Sequence, residues 1–279
     1  ALPRYAQWGY GTAGRHQGMA RITAITSQKG GVGKTTTAIN LAAYLALAGE
    51  SVLLVDLDPQ SNATSGLGLE GPERSVLPDI LSGARSWQDA RQSTEVERLS
   101  CIPSSLHLQV PVEEKQARGP GVQALRRSWH TTPPEDLTHV ILDCPPSLGP
   151  MTDLALGLAD GVLIPVQCEY FAMEGLAQVL ARVRQAEIDL AREIDISGLI
   201  LTLYSPEVDL WLDVAQEVPR SFPEATLKTP ILRDSTLAEA TSHGQPISVY
   251  EPRSPGAWSY MNLAKEVLEH EWSQTRTRA

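Results

Sequence analysis

A glycine-rich turn that joins a short β-branched segment to an apolar helical segment constrains the fold of this chain more than any other feature. Residues 22–26 read Ile-Thr-Ala-Ile-Thr, which is typical of a strand, and residues 28–36 read Gln-Lys-Gly-Gly-Val-Gly-Lys-Thr-Thr. Apolar residues then recur at helical spacing from about Lys34 to Ala48, and Gly49 is predicted to end the helix. A strand, a glycine-rich turn and a helix in this order present backbone N–H groups and a helix N-terminus to an anion. The segment therefore predicts a phosphate-binding loop.

The loop differs from the usual phosphate-binding pattern, G-x-x-x-x-G-K-[ST], at its first glycine. That position holds Gln28, and Lys29 follows it, so the loop carries an additional lysine. The glycines let the backbone turn its N–H groups toward phosphate oxygens, while Lys34 is expected to reach the β- and γ-phosphates and Thr35 to coordinate Mg²⁺. The predicted nucleotide-binding residues are Lys29, Gly30, Gly31, Val32, Gly33, Lys34, Thr35 and Thr36. The competing interpretation is a glycine-rich turn that holds no ligand.

Three aspartates follow apolar segments that are predicted to be strands. Asp56 and Asp58 come after Val52–Val55, and Asp143 comes after Val140–Leu142. Carboxylates beside a phosphate-binding loop either ligate Mg²⁺, directly or through water, or orient the attacking water. A lone aspartate in such a position is commonly a strand-end cap or a turn former. Three of them behind a phosphate-binding loop favour a site for nucleotide hydrolysis.

Continuous apolar runs alternate with helical patterns along most of the chain. Such runs are typical of strands buried on both faces, and the alternation predicts an α/β fold with a doubly wound, mostly parallel sheet flanked by helices. Ligands then bind at the carboxyl ends of the strands. Further strands are predicted at 162–166 and 196–203, and further helices at 173–188, 209–220 and 258–269. Residues 71–134 predict loops and short helices around a strand at 99–102.

Composition and charge limit the domain organisation and the partners. The 279 residues, 42% of them hydrophobic, are enough for one large domain, predicted to span 19–279. Residues 1–18 are expected to be a disordered N-terminal extension, with Met19 as the natural start. The formal net charge of −10 gives no general attraction to nucleic acid or anionic membranes. Three scattered cysteines indicate reduced thiols in a cytosolic protein, and no apolar run approaches the ~20 residues of a membrane span.

Taken together, these motifs resemble those of the ParA/MinD family of deviant-Walker ATPases, most closely the partition ParA (Soj-like) branch. The matching segments are 28–41, 52–68, 141–149, 160–175, 239–247 and 251–256. The resemblance extends from Met19 to about Leu268 and is weak only around 71–135 and 204–235. It implies a P-loop NTPase fold of the deviant Walker A type, with ATP and Mg²⁺ as cofactors.

The resemblance also implies a role for each candidate residue of the nucleotide site. Lys29 resembles the signature lysine that crosses the interface of an ATP-bound homodimer to the partner's nucleotide, where it acts like an arginine finger. Asp58 resembles the aspartate that positions the hydrolytic water. The residues implied on the metal side are Thr35, Asp56 and Asp143, and the catalytic ones are Lys29, Lys34 and Asp58.

The biological role implied by the resemblance is chromosome or plasmid partition. In partition ParAs, the ATP dimer binds DNA without sequence preference, and a ParB-type protein stimulates hydrolysis and release. The implied protein is therefore a cytoplasmic, nucleoid-associated ATPase that is not inserted stably into a membrane.

The sequence departs from the family where arginines are associated with the DNA surface. Two such arginine positions hold Glu207 and Thr236, and another basic position holds Pro255. Each lost phosphate contact lowers DNA affinity and its salt dependence, so DNA binding is expected to be weakened or relocated. The remaining candidate DNA-binding residues are Arg220, Arg233 and Arg253. Ordinary solvated surface charge is the alternative for all three.

Three other functions stay open on the sequence alone. A MinD-like membrane-positioning ATPase needs an amphipathic C-terminal helix, and the tail 265–279 has no sustained apolar face. A redox ATPase of the nitrogenase iron-protein type needs cluster-binding cysteines, whereas Cys144 and Cys168 fall in segments that match partition ParAs and are expected to be small buried residues. An orphan ParA-like ATPase that positions a non-DNA cargo agrees with the missing arginines.

Overall fold

The computed structural model describes residues 19–73, 75–105, 119–133, 135–169, 172–205, 207 and 209–278, without the side chains of 209–213, 215 and 271–278. The expected N-terminal extension, residues 1–18, lies outside the described residues, and so does Pro206.

Seven strands form one sheet in which β5 is central. They are β1 Arg21–Ile25, β2 Val52–Asp56, β3 Gln92–Ser93, β4 Leu99–Ile102, β5 His139–Asp143, β6 Gly161–Gln167 and β7 Asp195–Thr202. Their order across the sheet is β3-β4-β2-β5-β1-β6-β7. Every neighbouring pair is parallel except β3 with β4, which is antiparallel. The predicted α/β class is confirmed, and the two-residue edge strand β3 is the one strand that the sequence did not predict.

Helices connect the strands and cover both faces of the sheet. They are α1 Lys34–Leu47, α2 Asn62–Gly66, α3 Leu77–Ser82, α4 Trp87–Ala90, α5 Pro120–His130, α6 Pro150–Leu158, α7 Ala172–Leu190, α8 Asp209–Ser221, α9 Ser235–Ser242, α10 Ile247–Tyr250 and α11 Pro255–Arg278. The predicted helices at 34–48, 173–188 and 209–220 agree with α1, α7 and α8 to within two residues. The helix predicted at 258–269 is the middle of the longer α11. Among the described part of 71–134, short helices and loops do surround the strand at 99–102.

Two hydrophobic clusters lie on opposite faces of the sheet. Alternate strand residues point to each cluster: Leu53 and Val55 to one, Val52 and Leu54 to the other. The first cluster is completed by α3 to α8, and the second by α1, α9, α10 and α11. Both faces of the parallel strands are therefore covered by helices, which explains the continuous apolar runs in the sequence.

The strand order places the loop after β1 beside two acidic strand ends. Asp143, at the end of β5, is the register partner of Ile25 on one side and of Asp56 on the other. The P-loop begins two residues after Ile25, so it lies at the same edge of the sheet as both carboxylates. This edge contains the candidate site.

Candidate nucleotide-binding site

The P-loop backbone adopts the conformation that its glycines permit. Gly31 and Gly33 have φ values of 76° and 88°, in the left-handed region. A Cβ atom at either position would meet nothing within 4 Å, so the requirement for glycine is conformational. Gly33 is also the N-cap of α1 and forms no side-chain cap hydrogen bond. The first N–H groups of α1, which have no partners within the helix, thus face the loop and are suited to an anion.

Lys34 bends back over the loop. Its side chain is buried, and its ammonium donates a hydrogen bond to the Lys29 carbonyl oxygen at 2.9 Å. Burial lowers the pKa of Lys34, and the negative charges of Asp143 and Asp58 oppose that change. A partly desolvated ammonium beside a glycine-rich loop is well suited to bind phosphate as its counter-charge.

Asp143 is the most deeply buried carboxyl group of the site. Its side chain is fully buried, and among the described residues neither carboxylate oxygen has a hydrogen-bond partner. Burial and the charge of Asp56 raise the pKa of Asp143 well above its usual range, while the nearby Thr35 hydroxyl and Lys34 ammonium oppose the rise. Two buried oxygens without partners need a cation or a proton to compensate them.

Asp56 is buried as well, but its oxygens are already in use. One accepts hydrogen bonds from the Thr64 hydroxyl at 2.7 Å and the Thr64 amide at 2.9 Å, and the other accepts one from the Asp58 amide at 3.1 Å. Burial raises the pKa of Asp56 to about 6, although these hydrogen bonds lower it. The carboxylate of Asp56 is therefore an anchor for the loop that follows β2, with lone pairs left over for water.

The residues present fit a magnesium ion that is shared with a nucleotide. The Thr35 hydroxyl and the unpartnered oxygens of Asp143 offer the hard oxygen ligands that Mg²⁺ prefers. No group of three or more His, Cys, Asp or Glu in the described ranges could hold a metal ion alone. Phosphate oxygens and waters would then have to supply the remaining ligands, as is usual for Mg²⁺ in nucleotide sites.

A cavity of about 340 Å³ opens next to the P-loop. Asp58 lines it together with every loop residue from Gly30 to Thr36 except Val32, so the structure brings the predicted water-positioning carboxylate to the predicted phosphate site. The Asp58 side chain is buried, and its carboxylate accepts a hydrogen bond from the Gln60 amide at 2.9 Å.

The far wall of this cavity comes from segments distant in sequence, which sequence reasoning missed. It comprises Thr202, Leu203, Ile231, Asp234, Leu237, Ala238 and Tyr260. Leu203 has a φ of 53°, unusual for a residue with a Cβ, and such strain is commonly found at functional sites. One feature of the sequence weakly indicated this wall. The wall residues end or follow the predicted strand β7, and ligands bind at the carboxyl ends of parallel strands.

Two hydrogen bonds connect the P-loop helix to the C-terminal helices. Thr37 and Tyr260 share a buried hydrogen bond of 3.0 Å between their hydroxyl groups. The Asn40 side chain accepts from the Ile247 amide at 2.8 Å and donates to the Thr36 carbonyl at 2.8 Å. The start of α1 is therefore fixed against α10 and α11 as well as against the sheet.

Two of the predicted nucleotide-binding residues do not line this cavity: Val32, which is buried, and Lys29. Lys29 is about half exposed and forms an ion pair with Glu169, which also accepts a hydrogen bond from Gln167. Glu169 lies just after β6, and no pattern in the sequence indicates that it pairs with Lys29. The Lys29 ammonium therefore points along the surface of the chain and not onto its own P-loop.

The three candidate DNA-binding arginines are exposed and lie on different elements. Arg220 is in the last turn of α8 and donates to Gln216. Arg233 and Arg253 come closer together, because the Asp234 carboxylate accepts a hydrogen bond from the Gly256 amide at 2.8 Å. The structure thus links the segments of Arg233 and Arg253, and it places Arg220 on a separate helix.

The positions that lack family arginines also differ from one another. Glu207 is exposed. Thr236 donates its amide and hydroxyl to the carboxylate of Asp234, which is the N-cap of α9.

The cysteines have the buried positions expected of small core residues. Cys101, Cys144 and Cys168 are free and buried. Burial raises the pKa of all three thiols, that of Cys168 to about 11. Protonated, buried thiols are unsuited to binding an iron–sulfur cluster.

No helix in the described ranges is long and apolar enough to cross a membrane.

The fold and the site together define a P-loop nucleotide-binding protein with a deviant Walker A loop. A family profile described as AAA domain matches residues 20–196. The sporulation initiation inhibitor protein Soj of Bacillus subtilis is 45% identical over 256 residues, covering 89% of this chain and 98% of that protein. The chromosome partitioning protein ParA of Caulobacter vibrioides is 38% identical, covering 90% of this chain and 95% of its own length. The chain belongs to the ParA/MinD family of ATPases, in its Soj/ParA branch.

Solved structures of related proteins have the same fold. Cobyrinic acid a,c-diamide synthase from Mycobacterium smegmatis, with bound ADP and magnesium, is 31% identical with a TM-score of 0.75, covering 92% of this chain and 97% of that one. The cell division ATPase MinD of Pyrococcus furiosus is 26% identical with a TM-score of 0.73, covering 90% and 99%.

Proposed function

We propose that this chain is a Mg²⁺-dependent ATPase of chromosome or plasmid partition. The observation that carries the proposal is the meeting of Lys34, Thr35 and Asp58 at one cavity, beside the unpartnered carboxylate of Asp143. The family supports it, since its Soj and ParA members are named for chromosome partition and one solved relative has structures with magnesium and either ADP or an ATP analogue.

Each residue of the site has a distinct task in the proposed hydrolysis. The N–H groups of the loop and of the first turn of α1 hold the β- and γ-phosphates, and the Lys34 ammonium neutralises part of their charge. The Asp58 carboxylate accepts a hydrogen bond from the attacking water and orients it toward the γ-phosphorus. Thr35 and Asp143 would hold Mg²⁺, which would supply the remaining charge compensation on the phosphate oxygens.

A second copy of the chain completes the site in this proposal. The Lys29 side chain is exposed and directed away from the cavity of its own chain, so it is available to another molecule once it leaves Glu169. ATP would thus produce a homodimer in which each Lys29 contacts the nucleotide of the partner. Dimerisation and hydrolysis would then depend on the same lysine.

The proposed output of the dimer is non-specific DNA binding, ended when a ParB-type protein stimulates hydrolysis. Such a protein would work in the cytoplasm and associate with the nucleoid. Arg233 and Arg253, on linked segments, are the stronger candidates for phosphate contacts, and Arg220 would be a separate contact. The exposed Glu207 would repel a DNA backbone, so we expect weak binding with a shallow salt dependence.

The decisive experiment measures DNA binding with ATP, ADP or no nucleotide, in the parent chain and in Asp58→Ala. The proposal expects Asp58→Ala to bind ATP, to form a stable dimer and to retain duplex DNA of random sequence at low salt. The parent should hydrolyse ATP, and faster with both DNA and its ParB-type partner. A parent that hydrolyses no ATP under these conditions would refute the assignment as an ATPase.

Glu207, and Thr236 with its hydroxyl donated to Asp234, favour one alternative, an ATPase of the same mechanism that positions a cargo other than DNA. The same experiment separates the two functions. Phosphate contacts are strong at low salt, on the order of 50 mM. If the Asp58→Ala dimer does not bind DNA under that condition, the result would favour the non-DNA cargo.

A further inference from the structure

The Thr64 hydroxyl joins three elements behind the nucleotide site. Thr64 lies in α2 and is 1% exposed. Its hydroxyl donates to Asp56 at 2.7 Å, at the end of β2, and accepts from the Ser104 amide at 2.9 Å, just after β4. Both hydrogen-bonding functions of this hydroxyl are therefore satisfied inside the protein.

The carboxylate that Thr64 holds is also the anchor of the Asp58 loop. The oxygen of Asp56 that does not face Thr64 accepts the Asp58 amide at 3.1 Å. On either side of that contact, the Leu57 amide donates to the Asp143 carbonyl at 3.0 Å and the Ser61 amide donates to the Asp58 carbonyl at 2.9 Å. The position of Asp58 is thus determined by a chain of contacts that begins at Thr64.

The loop between Asp58 and α2 is held under conformational strain. Ser61, the N-cap of α2, has a φ of 55°, in the left-handed region that a serine rarely adopts. Such a conformation persists only where surrounding contacts impose it. Thr64 supplies one of those contacts, through its amide and hydroxyl to Asp56, one turn after Ser61.

We infer that Thr64 is a positioning residue for hydrolysis: through Asp56 it holds the Asp58 carboxylate where a water at the γ-phosphate can be oriented. The inference rests on the proposed ATPase function and deepens it. Thr64 does not line the nucleotide cavity, so it acts only through Asp56 and the loop. Binding of ATP, which relies on the P-loop, should be independent of it.

The test compares Thr64→Val, which keeps the shape and loses the hydroxyl, with Thr64→Ser, which keeps the hydroxyl. Thr138→Val is the matched control. The Thr138 hydroxyl also donates to and accepts from the backbone, at the Ser51 carbonyl and amide, but it precedes β5 at the opposite edge of the sheet. Steady-state hydrolysis and equilibrium binding of a fluorescent ATP analogue are measured for each variant.

We expect Thr64→Val to reduce kcat by about 10- to 100-fold, the effect typical of a small misplacement of a catalytic group, while the affinity for the analogue changes less than about threefold. Thr64→Ser should keep at least half of the parent kcat. Thr138→Val should lower the melting temperature by an amount similar to that of Thr64→Val, with kcat unchanged. A threonine with only a structural role would not lower kcat while leaving the affinity for the analogue nearly unchanged.

Thr64→Ala and Thr64→Ser give a second comparison if Thr64→Val does not fold, because both lack the methyl group and differ only in the hydroxyl. Equal kcat values for Ser and for Val or Ala, in a parent that hydrolyses ATP, would overturn the role of Thr64 and leave the proposed function intact. Loss of analogue binding in Thr64→Val would overturn it as well. Absence of hydrolysis in the parent with DNA and partner would instead overturn the proposed function, and this inference with it.

Discussion

Asp56 and Asp143 are register partners at the carboxyl ends of adjacent parallel strands, yet the protein satisfies only one of them. Asp56 accepts three hydrogen bonds from the loop that follows it. No described residue meets the full hydrogen-bond geometry at Asp143, although the Thr35 hydroxyl lies nearby, and burial together with the charge of Asp56 raises its pKa. A buried carboxylate without hydrogen bonds destabilises the ligand-free protein, and a bound cation compensates its charge.

Asp143→Asn tests this difference. In the parent, Mg²⁺ with ATP at 100-fold over its Kd should stabilise the fold by about 2.7 kcal/mol, seen as a higher melting temperature. We expect the variant to lose most of that increase, because an amide cannot compensate the cation. Without ligand, the variant should melt at or above the temperature of the parent, since a buried charge without a partner has been removed.

Glu174→Gln, an exposed carboxylate in α7, is the control and should behave like the parent in both measurements. An Asp143→Asn variant with the full increase in melting temperature would show that Asp143 does not contribute to the metal site.

Lys29→Ala tests the contribution of the second copy. The variant should still bind ATP as a monomer, because the loop amides and Lys34 remain. ATP-dependent dimerisation, followed by light scattering, should be lost, and hydrolysis should fall by about 10³–10⁵, the range known for arginine fingers. The melting temperature should barely change, since an exposed ion pair such as that with Glu169 contributes about 0–1 kcal/mol.

Lys265→Ala, which removes an exposed lysine from α11, serves as the control for total charge. Dimerisation of Lys29→Ala at the ATP concentration that suffices for the parent would contradict the proposed role.

Charge reversal at the candidate DNA surface gives a third prediction. Glu207→Arg should strengthen DNA binding by the ATP-bound dimer and steepen its salt dependence, with the slope of log K against log[salt] increasing by about 0.9 for each new phosphate contact. Arg233→Ala and Arg253→Ala should have the opposite effect. Filter binding or fluorescence anisotropy between low and physiological salt gives both quantities.

Arg184→Ala is the matched control, because Arg184 is 74% exposed and pairs only locally with Glu187 in α7. If Arg233→Ala and Arg253→Ala both have the same salt slope as the parent, the DNA surface lies elsewhere.

Asp160 gives a prediction about pH that is independent of the nucleotide site. Burial would raise its pKa, but hydrogen bonds from His130 and the Ile22 amide, together with the Arg126 charge, outweigh burial and lower it. A lowered pKa in the folded state means that the ionised group stabilises the protein above the ordinary aspartate range, and that this contribution is lost as pH falls through the folded-state value. Asp160→Asn should therefore cost about 2–3 kcal/mol at pH ~7 and progressively less at pH below ~4.

Urea denaturation at a series of pH values measures this difference in the free energy of unfolding. Asp136→Asn, at an exposed carboxylate, should show no loss at any pH. A deficit in Asp160→Asn that stays constant down to the acid limit would contradict the assignment to the ionised carboxylate.

The sequence predicted the parts of this site that depend on local chemistry. The apolar runs ending at Asp56 and Asp143 identified strands buried on both faces, and parallel strands bring their carboxyl ends to one edge. The P-loop could be recognised because few other segments combine glycines, a lysine and a threonine at this spacing. The prediction of buried cysteines is confirmed for the same reason, since Cys144 and Cys168 follow or end apolar strands.

Contacts between distant segments could not be predicted in the same way. The wall formed by Thr202, Ile231 and Tyr260 depends on how α9 to α11 pack on the sheet, which no local pattern encodes. The sequence analysis included Thr64 only within a segment that matches the family. Its proposed role could not be predicted, because that role depends on Asp56 and Ser104 both contacting the Thr64 hydroxyl in the folded chain. The pairing of Lys29 with Glu169 joins residues 140 positions apart.

Because of that pairing, Lys29 exchanges the Glu169 carboxylate for the partner's phosphates in the proposed dimer, so its ammonium has an anionic partner in both states. Added salt weakens the contact with Glu169 and the contact with the partner's phosphates alike, so the two effects on dimerisation partly cancel. The Glu169 carboxylate, in turn, becomes uncompensated at the same surface when Lys29 departs. Closure of the dimer therefore turns a locally neutral patch into a negative one, a change of electrostatic potential by which a third protein could distinguish the ATP state from the resting chain.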